Sequence, residues 1–247
     1  MQVAESWKSP PRELELKSNE VDLWLITIPT AMDSLPDYRA RLTDDERDRA
    51  DRFHFAQDRA RFTLGRAVLR QLLTRYLGHG NFSLAANHHG KPYLREPDQA
   101  LEFNVAHSGD LVLLGFTRGR AIGVDVERMR PDFATTEIAN RFFAPDEASI
   151  VAALPEPERV RGFFNCWTRK EAYIKARGLG LSLPLHSFSV AFAAGEAPAL
   201  LRVDGDTGAS QRWTIVDLPT CDGYAAATVF EGRNLNVGSF RWGTDPS

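Results

Sequence analysis

The order in which strand-like and helix-like segments follow one another constrains the fold of this chain most strongly. Residues 21–28 (VDLWLITI) are rich in β-branched and aromatic side chains, which is typical of a buried strand. Helical patterns come next, then a run of short strand patterns, then helices and strands again. This order predicts an α+β protein made of two halves of similar composition that meet near residues 118–120.

Local signals give the expected elements of each half. The T-D-D-E run at residues 43–46 has the form of a capping box and begins a short helix. A broad apolar face predicts a longer helix over residues 56–77, which Gly78 can end. The other helices are predicted over residues 136–143, 145–154 and 158–177. Strands are predicted over residues 82–85, 92–94, 101–106, 111–117, 121–127, 187–193, 212–218, 224–230 and 237–242.

Two segments carry no such pattern. Residues 1–20 are polar with two adjacent prolines, which predicts a loosely held arm. Residues 195–210 are small and polar, which predicts a surface loop without chemistry.

Charge and composition exclude several classes of function. The 247-residue chain has a net charge of −3, so it lacks the basic field that attracts nucleic acid. Residues 1–18 have no apolar core of the signal-peptide type, and no stretch is long enough to span a bilayer. Cys166 and Cys221 lack metal-ligand spacing. These features predict a cytoplasmic protein with reduced thiols and no nucleic-acid or membrane partner.

The strand over residues 121–127 carries two carboxylates in the motif G-V-D-V-E. Side chains alternate along a strand, so Asp125 and Glu127 share one face, about 7 Å apart. Two such carboxylates repel one another unless a cation or an arginine lies between them. Taken alone, the motif favours a half-exposed strand with a solvated acidic edge over a metal site.

The helix over residues 158–177 contains a second candidate constellation. Trp167, Glu171 and Lys175 are spaced four residues apart and lie on one helix face. By itself this spacing favours a core-edge residue with a salt bridge along the helix. In a functional interpretation Glu171 is a third hard oxygen ligand. Three carboxylates without cysteine ligands suit Mg²⁺.

Candidate anion contacts lie upstream. His107, in F-N-V-A-H-S-G, follows a strand, where a histidine is more often a structural residue or a turn cap than a phosphate donor. Gly90-Lys91-Pro92 is, taken singly, a turn beside a lysine. Several arginines lie on the early helices. Most are expected to pair with nearby acids, although one or two could clamp a phosphate bidentately.

Taken together and in this order, the three motifs resemble those of the 4′-phosphopantetheinyl transferases. They are F-N-V-A-H-S, then G-V-D-V-E, then W-T-R-K-E-A-Y-I-K followed by G-L-G-L-S-L-P-L, and the resemblance covers roughly residues 40–230. It is to the longer, surfactin-synthetase-activating type, whose single chain forms two pseudo-twofold-related halves. It implies that residues 1–118 contact the adenosine and phosphates of coenzyme A and that residues 119–247 carry the magnesium and catalytic residues.

The resemblance implies roles for residues in the second half. Asp125, Glu127 and Glu171 match the magnesium ligands of the family. Lys175 matches a lysine beside the pyrophosphate, so Glu171 and Lys175 are the expected catalytic residues. Glu147 matches an acidic position near the active site whose role the resemblance leaves open.

The resemblance also implies which residues contact coenzyme A. His107 matches a histidine at the phosphates of the coenzyme. Lys91 and Pro92 match the segment beside its adenosine 3′-phosphate and adenine. Arg49 and Arg61 fall where the family has further basic contacts.

The implied activity is magnesium-dependent transfer of phosphopantetheine from coenzyme A to a serine of an apo carrier protein, leaving 3′,5′-ADP. The carrier would be a peptidyl, acyl or aryl carrier of a peptide synthetase, a polyketide synthase or a fatty acid synthase, and the first two classes serve secondary metabolite biosynthesis. We expect a monomer, because one chain already supplies both halves.

Two departures and two alternatives accompany this assignment. Ala106 stands where many relatives have a serine, and Phe62 stands where some offer a hydroxyl, so the phosphate contacts differ in detail.

One alternative is a magnesium-dependent phosphotransferase for another nucleotide, although the sequence has neither a P-loop nor a kinase glycine loop. The other is a non-catalytic module that binds carrier proteins.

Overall fold

The computed structural model describes residues 7–28, 34–156 and 158–243, and it confirms the α+β class. The helices are α1 (Leu35–Ala40), α2 (Asp44–Asp51), α3 (Ala56–Leu77), α4 (Thr136–Phe142), α5 (Pro145–Ala153), α6 (Glu158–Arg177) and α7 (Ala209–Arg212). The strands are β1 (Glu20–Thr27), β2 (Leu84–Ala86), β3 (Pro92–Leu94), β4 (Leu101–Ser108), β5 (Leu111–Arg118), β6 (Ile122–Arg128), β7 (Phe188–Ala191), β8 (Ala199–Val203), β9 (Trp213–Asp217), β10 (Tyr224–Glu231) and β11 (Asn236–Arg241).

Two main sheets form the centre of the molecule. The first has the strand order β11-β1-β5-β4, with β11 parallel to β1 and the other neighbours antiparallel. The second is antiparallel with the order β6-β10-β9. The hairpins β2-β3 and β7-β8 lie beside them. The edge strands β4 and β6 therefore belong to different sheets.

Alternation of side chains along β1 explains how the layers assemble. Trp24 and Ile26 point to one face and pack with Val68 of α3. Leu23 and Leu25 point to the other face and pack against the second sheet. The first sheet is thus covered by a helix on one side and by the second sheet on the other.

The strand β6 repeats this alternation in the second half. Val124 and Val126 pack toward the first sheet. Gly123 lies on the other face, against α6, where a Cβ would be 2.0 Å from the carbonyl oxygen of Ala172 and 2.3 Å from the amide nitrogen of Ala176. A glycine is therefore required for α6 to lie directly on β6. The order of layers is α3, first sheet, second sheet, α6.

A buried polar chain runs through the core of the first half. The indole nitrogen of Trp24 donates to the hydroxyl of Tyr76 at 2.8 Å, and this hydroxyl donates to Asp22 at 2.7 Å. Burial, partly offset by the bond from Tyr76, raises the pKa of Asp22 to about 6.

Several expectations from the sequence are confirmed. The long helices occupy residues 56–77 and 158–177, and Gly78 ends α3 with a φ of 76°. Thr43 begins α2 with a capping box, in which Glu46 donates its amide to the threonine hydroxyl and accepts the Thr43 amide. Strand boundaries differ from the expected ones by one or two residues, because end residues are decided by the partner strand.

Other expectations are wrong. Within residues 195–210, expected to be a loop, β8 pairs with β7 and α7 follows. Part of the expected N-terminal arm is packed: Trp7 is buried and donates to the carbonyl of Pro219, and Leu16 is in the core of the first half. Helix α1 was not expected.

The strand β11 returns to the first sheet. It was expected within residues 119–247, and it hydrogen-bonds in parallel with β1. The division of the chain at residues 118–119 stays a prediction, and β11 ties its last segment to the first half.

Candidate active site

The edge strands β4 and β6 meet along the boundary between the halves. The side-chain oxygen of Asn104, a buried residue of β4, accepts the amide of Val124 at 2.9 Å. At the end of the same strands, the hydroxyl of Ser108 donates to Glu127 at 2.8 Å and accepts the amide of Arg128 at 3.0 Å. These bonds fix β6, and hence its acidic face, beside the strand that carries His107.

A groove follows this boundary and contains two cavities. The first, of about 410 Å³, lies between α3, β4 and the β2-β3 hairpin. The second, of about 280 Å³, lies between that hairpin and α6. Gly90, Pro92 and Val105 line both, so the two cavities adjoin. Two adjoining cavities with charged side chains in their walls suit an extended, charged small molecule.

The carboxylates expected as metal ligands converge beside the second cavity. Asp125 is 2% exposed on β6, and Glu171 lines the cavity from α6. The ammonium of Lys175, one turn beyond Glu171, lies 2.5 Å from Oδ1 of Asp125. The other oxygen of Asp125, Oδ2, is buried and has no hydrogen-bond partner among the described residues.

The shifted pKa values of this cluster follow from burial and crowding. Burial, and then the charge of Asp125, raise the pKa of Glu127 to about 7 although Ser108 lowers it. The same two causes raise the pKa of Glu171. Burial opposes the charge of Lys175, but the surrounding carboxylates outweigh it and raise the pKa of this residue. The cluster is therefore short of positive charge, which is typical of a site that binds a cation.

The donor set fits Mg²⁺, although the described residues contain no group of three acidic, histidine or cysteine side chains already arranged around a point. The ammonium of Lys175 donates to Asp125 and so offsets the charge of this carboxylate, as a bound cation otherwise would. The free Oδ2 of Asp125, together with Glu127 and Glu171, supplies hard oxygen ligands of the kind Mg²⁺ prefers.

The expected anion contacts line the first cavity. Arg49 is exposed, and its guanidinium lies 5.2 Å from the ring centroid of Phe62. Arg61, which also lines the cavity, donates to the carbonyl of Gly109 at 3.1 Å and to Asp58 at 2.9 Å. His107 also lines this cavity, and desolvation together with the charge of Arg61 lowers its pKa. The lowered pKa favours the neutral imidazole, which can donate one hydrogen bond.

Lys91 lines the second cavity, but its ammonium is engaged within the protein. It donates to the carbonyl of Ile122 at 3.1 Å and contacts that of Ala176 at 3.4 Å. Pro92 lines both cavities, and its contact with a ligand stays a prediction.

Glu147 lies away from both cavities, in the core of the second half. It is 1% exposed and pairs at 2.5 Å with Lys170, which is fully buried. Glu147 also accepts the amides of Ala144 and Val190, and Lys170 donates to the carbonyl of Phe188. Glu147, whose role the sequence left open, therefore has a structural role. Its pair with Lys170 anchors α6 one residue before Glu171.

Arg66 is one of the arginines of the early helices that the sequence offers as possible phosphate clamps. It lines the first cavity and donates to Glu46 at 2.7 Å. Sequence reasoning missed the contact made by Tyr224. The hydroxyl of Tyr224 accepts the amide of Asp110 at 2.9 Å and holds the β4-β5 turn, a contact across 114 residues that no local pattern reveals.

Comparisons with known proteins agree with this arrangement. Residues 121–229 match the model of the 4′-phosphopantetheinyl transferase superfamily, and residues 31–117 match that of the 4′-phosphopantetheinyl transferase N-terminal region. The 4′-phosphopantetheinyl transferase HetI of Nostoc sp. is 37% identical over 231 residues, which are 92% of this chain and 94% of HetI.

Two further relatives are similar over shorter stretches. The 4′-phosphopantetheinyl transferase Sfp of Bacillus subtilis is 33% identical over 66% of this chain and 71% of its own. A phosphopantetheinyl transferase of Thraustochytrium sp. is 31% identical over 74% of this chain and 69% of its own. The motifs, the two matching halves and these identities establish that the chain belongs to the 4′-phosphopantetheinyl transferase superfamily, as a member of the Sfp type.

Proposed function

We propose that this protein transfers the 4′-phosphopantetheine group of coenzyme A to a serine of an apo carrier protein and releases 3′,5′-ADP. One observation carries the proposal most directly. The carboxylates and Lys175 of the second half meet His107 of the first half along one groove between the halves. Membership of the family supports the same activity.

The first cavity suits the nucleotide end of coenzyme A. The phosphates of the coenzyme carry roughly three to four negative charges, which require several local cations. Arg49, Arg61 and Arg66 provide them around one cavity, although the whole chain has a net charge of −3. His107 and the backbone beside Pro92 complete the lining. Such a local basic site is expected to bind one anion selectively in a protein whose net charge is negative.

Asp125, Glu127 and Glu171 are the residues that would hold Mg²⁺. When bound, the ion supplies charge neutralisation at the pyrophosphate. Lys175 is one ammonium beside three carboxylates, so it offsets only part of their charge. We therefore infer that Lys175 turns from Asp125 toward the phosphate oxygens when coenzyme A and the cation bind.

The chemistry is a displacement at the phosphorus that carries the pantetheine arm. The serine oxygen of the carrier forms a new bond to this phosphorus, and the bond from the same phosphorus to the oxygen of the departing 3′,5′-ADP breaks. Glu171, which lines the second cavity beside Lys175, accepts the serine proton. Lys175 donates hydrogen bonds to the phosphoryl oxygens as negative charge develops on them.

We further propose that the protein acts as a cytoplasmic monomer. One chain supplies Arg61 and His107 from its first half and Asp125 and Glu171 from its second half to the same groove. Cys166 and Cys221 are free and buried, which suits a reducing compartment. Among the described residues no helix is long and apolar enough to cross a membrane. Multi-angle light scattering is expected to give the mass of one chain, and an obligate trimer would contradict the proposal.

A panel of purified apo carriers tests the activity. Peptidyl, aryl and acyl carriers are incubated with the protein, coenzyme A and magnesium, and their intact masses are measured together with released 3′,5′-ADP. At least one carrier is expected to gain the mass of phosphopantetheine in equal molar amount to the released nucleotide. Carrier binding without modification would instead support a binding module, and modification with another nucleotide would support a different phosphotransferase.

A further inference from the structure

The turn between β2 and β3 holds the carboxyl end of α6 by hydrogen bonds. Lys91 donates to the carbonyls of Ile122 on β6 and Ala176 in the last turn of α6. Asn87, at the other end of the same turn, donates to the carbonyl of Gly178 just beyond the helix at 2.9 Å. The last carbonyls of a helix lack partners within it and carry partial negative charge, so an ammonium and an amide donor are favourable partners there.

The turn is built to present these two donors. The side-chain oxygen of Asn87 accepts the backbone amides of His89 and Lys91, both at 3.0 Å, which closes the turn on itself. Gly178 has a φ of +65°, and its Cα lies so near the turn that a Cβ would be 3.4 Å from Cδ of Lys91. The side chain of Lys91 is therefore packed between the halves, with Glu102 the acidic group that affects its charge most.

The helix held by this turn, α6, carries Glu171 and Lys175, the two proposed catalytic residues. Lys175 precedes Ala176 by one residue, and Glu171 lies one turn before Lys175. A shift of α6 along its axis would move both relative to Asp125 on β6. Since Lys91 bonds to β6 and α6 at once, it fixes the distance between the two elements that form the carboxylate cluster.

We propose that Lys91 is a positioning residue that holds α6 in register with β6, and that its ammonium does not read the 3′-phosphate of coenzyme A. This proposal rests on the proposed function only for its effect on catalysis. The hydrogen bonds from Lys91 to β6 and α6 are a property of the protein without ligand.

Hydrogen exchange of the ligand-free protein tests whether Lys91 holds the end of α6. Lys91→Met keeps the length of the side chain and removes its donors, and Lys17→Met is the matched control at an exposed lysine of the same half. Amides at the end of α6, including that of Gly178, which donates to Ile174, are expected to exchange at least tenfold faster in Lys91→Met only. Unchanged exchange over residues 174–180 would overturn the proposal.

Binding and turnover separate positioning from phosphate recognition. Lys91→Met is expected to lose affinity for coenzyme A and for 3′-dephospho-coenzyme A by equal factors, within threefold. At saturating coenzyme A its kcat is expected to fall at least tenfold, with part of the loss restored in Lys91→Arg. A loss of more than tenfold for coenzyme A alone would assign the ammonium to the 3′-phosphate and overturn the proposal.

Two further provisions keep the outcomes distinct. If Lys91→Met does not fold, Asn87→Asp removes the donor to Gly178 and keeps the acceptor for the turn amides, and the same local increase in exchange is expected. If the wild-type protein neither binds coenzyme A nor modifies any carrier, the proposed function fails, while the exchange measurement still decides whether Lys91 holds α6.

Discussion

Replacement of Gly123 by alanine is the sharpest test of how the fold builds the site. The added Cβ would lie 2.0 Å from the carbonyl oxygen of Ala172 and 2.3 Å from the amide nitrogen of Ala176. Both are backbone atoms of α6, so no side chain can rotate away. Because real contacts of a Cβ are essentially never closer than 3.0 Å, α6 must move from β6 by at least about 1 Å.

The displacement sets the expected magnitudes. Overpacking a core costs about 1–3 kcal/mol when side chains can adjust, and we expect about 3 kcal/mol here because the backbone of a long helix must move. Glu171 and Lys175 move with the helix, and a misplacement of 1 Å can cost about 100-fold in rate. Gly123→Ala should therefore lose about 100-fold in kcat/KM for the carrier while most molecules stay folded.

Urea unfolding and carrier modification, measured on the same samples, check this. Gly162→Ala is the control on the same helix, since its Cβ would meet only the methyl end of Leu154, which can turn away. It should change the unfolding free energy by less than about 1 kcal/mol and leave turnover intact. If Gly123→Ala kept wild-type kcat/KM within threefold, the reasoning that close packing of α6 on β6 positions the site would be refuted.

Three further predictions concern charges inside the protein. Lys170→Met leaves Glu147 buried and unpaired, so the free energy of unfolding in urea should fall by about 3–5 kcal/mol, and wild-type stability would contradict the anchoring role. Burial raises the pKa of Asp22 to about 6, so the stability that its protonation contributes is lost as the pH rises through about 6. Asp22→Asn should therefore add about 1–3 kcal/mol to the free energy of unfolding at pH 8 and almost nothing at pH 3, below the ordinary pKa of 3.8, and equal effects at both pH values would refute the shift. Lys175→Met removes the ammonium beside Asp125, so Mg²⁺ should bind the protein without coenzyme A about tenfold more tightly in calorimetry, although carrier modification is lost; weaker Mg²⁺ binding would contradict the competition between the two cations.

Local patterns were sufficient for the long elements of this fold. The helix α3 has an apolar face that repeats over six turns and a glycine at its end, so its bounds could be read from the sequence. The strand β8 could not, because of its five residues only Leu200 is buried, and its pairing with β7 supplies the rest. The place of β11 beside β1 joins residues more than 200 positions apart, and no periodicity encodes that.

The site shows the same division between local and distant information. Alternation along β6 put Asp125 and Glu127 on one face, and helical spacing put Glu171 beside Lys175, but only the fold brings the two pairs together. The partners of Lys91 lie 31 and 85 residues away, so its engagement with backbone carbonyls could not be foreseen. Which residue types take part was readable from motifs, whereas which donors are already occupied was not.

The rate of carrier modification as a function of magnesium, for the wild-type protein and for Asp125→Asn, tests the central claim most directly. Asp125→Asn keeps the shape of the side chain and removes the charge nearest to Lys175. The predicted result is a wild-type rate that rises with magnesium, disappears on chelation and is reduced at least 100-fold in the variant, whose fold is unchanged by circular dichroism. A full rate in the presence of a chelator, or a wild-type rate in Asp125→Asn, would contradict the assignment of catalysis to this carboxylate cluster.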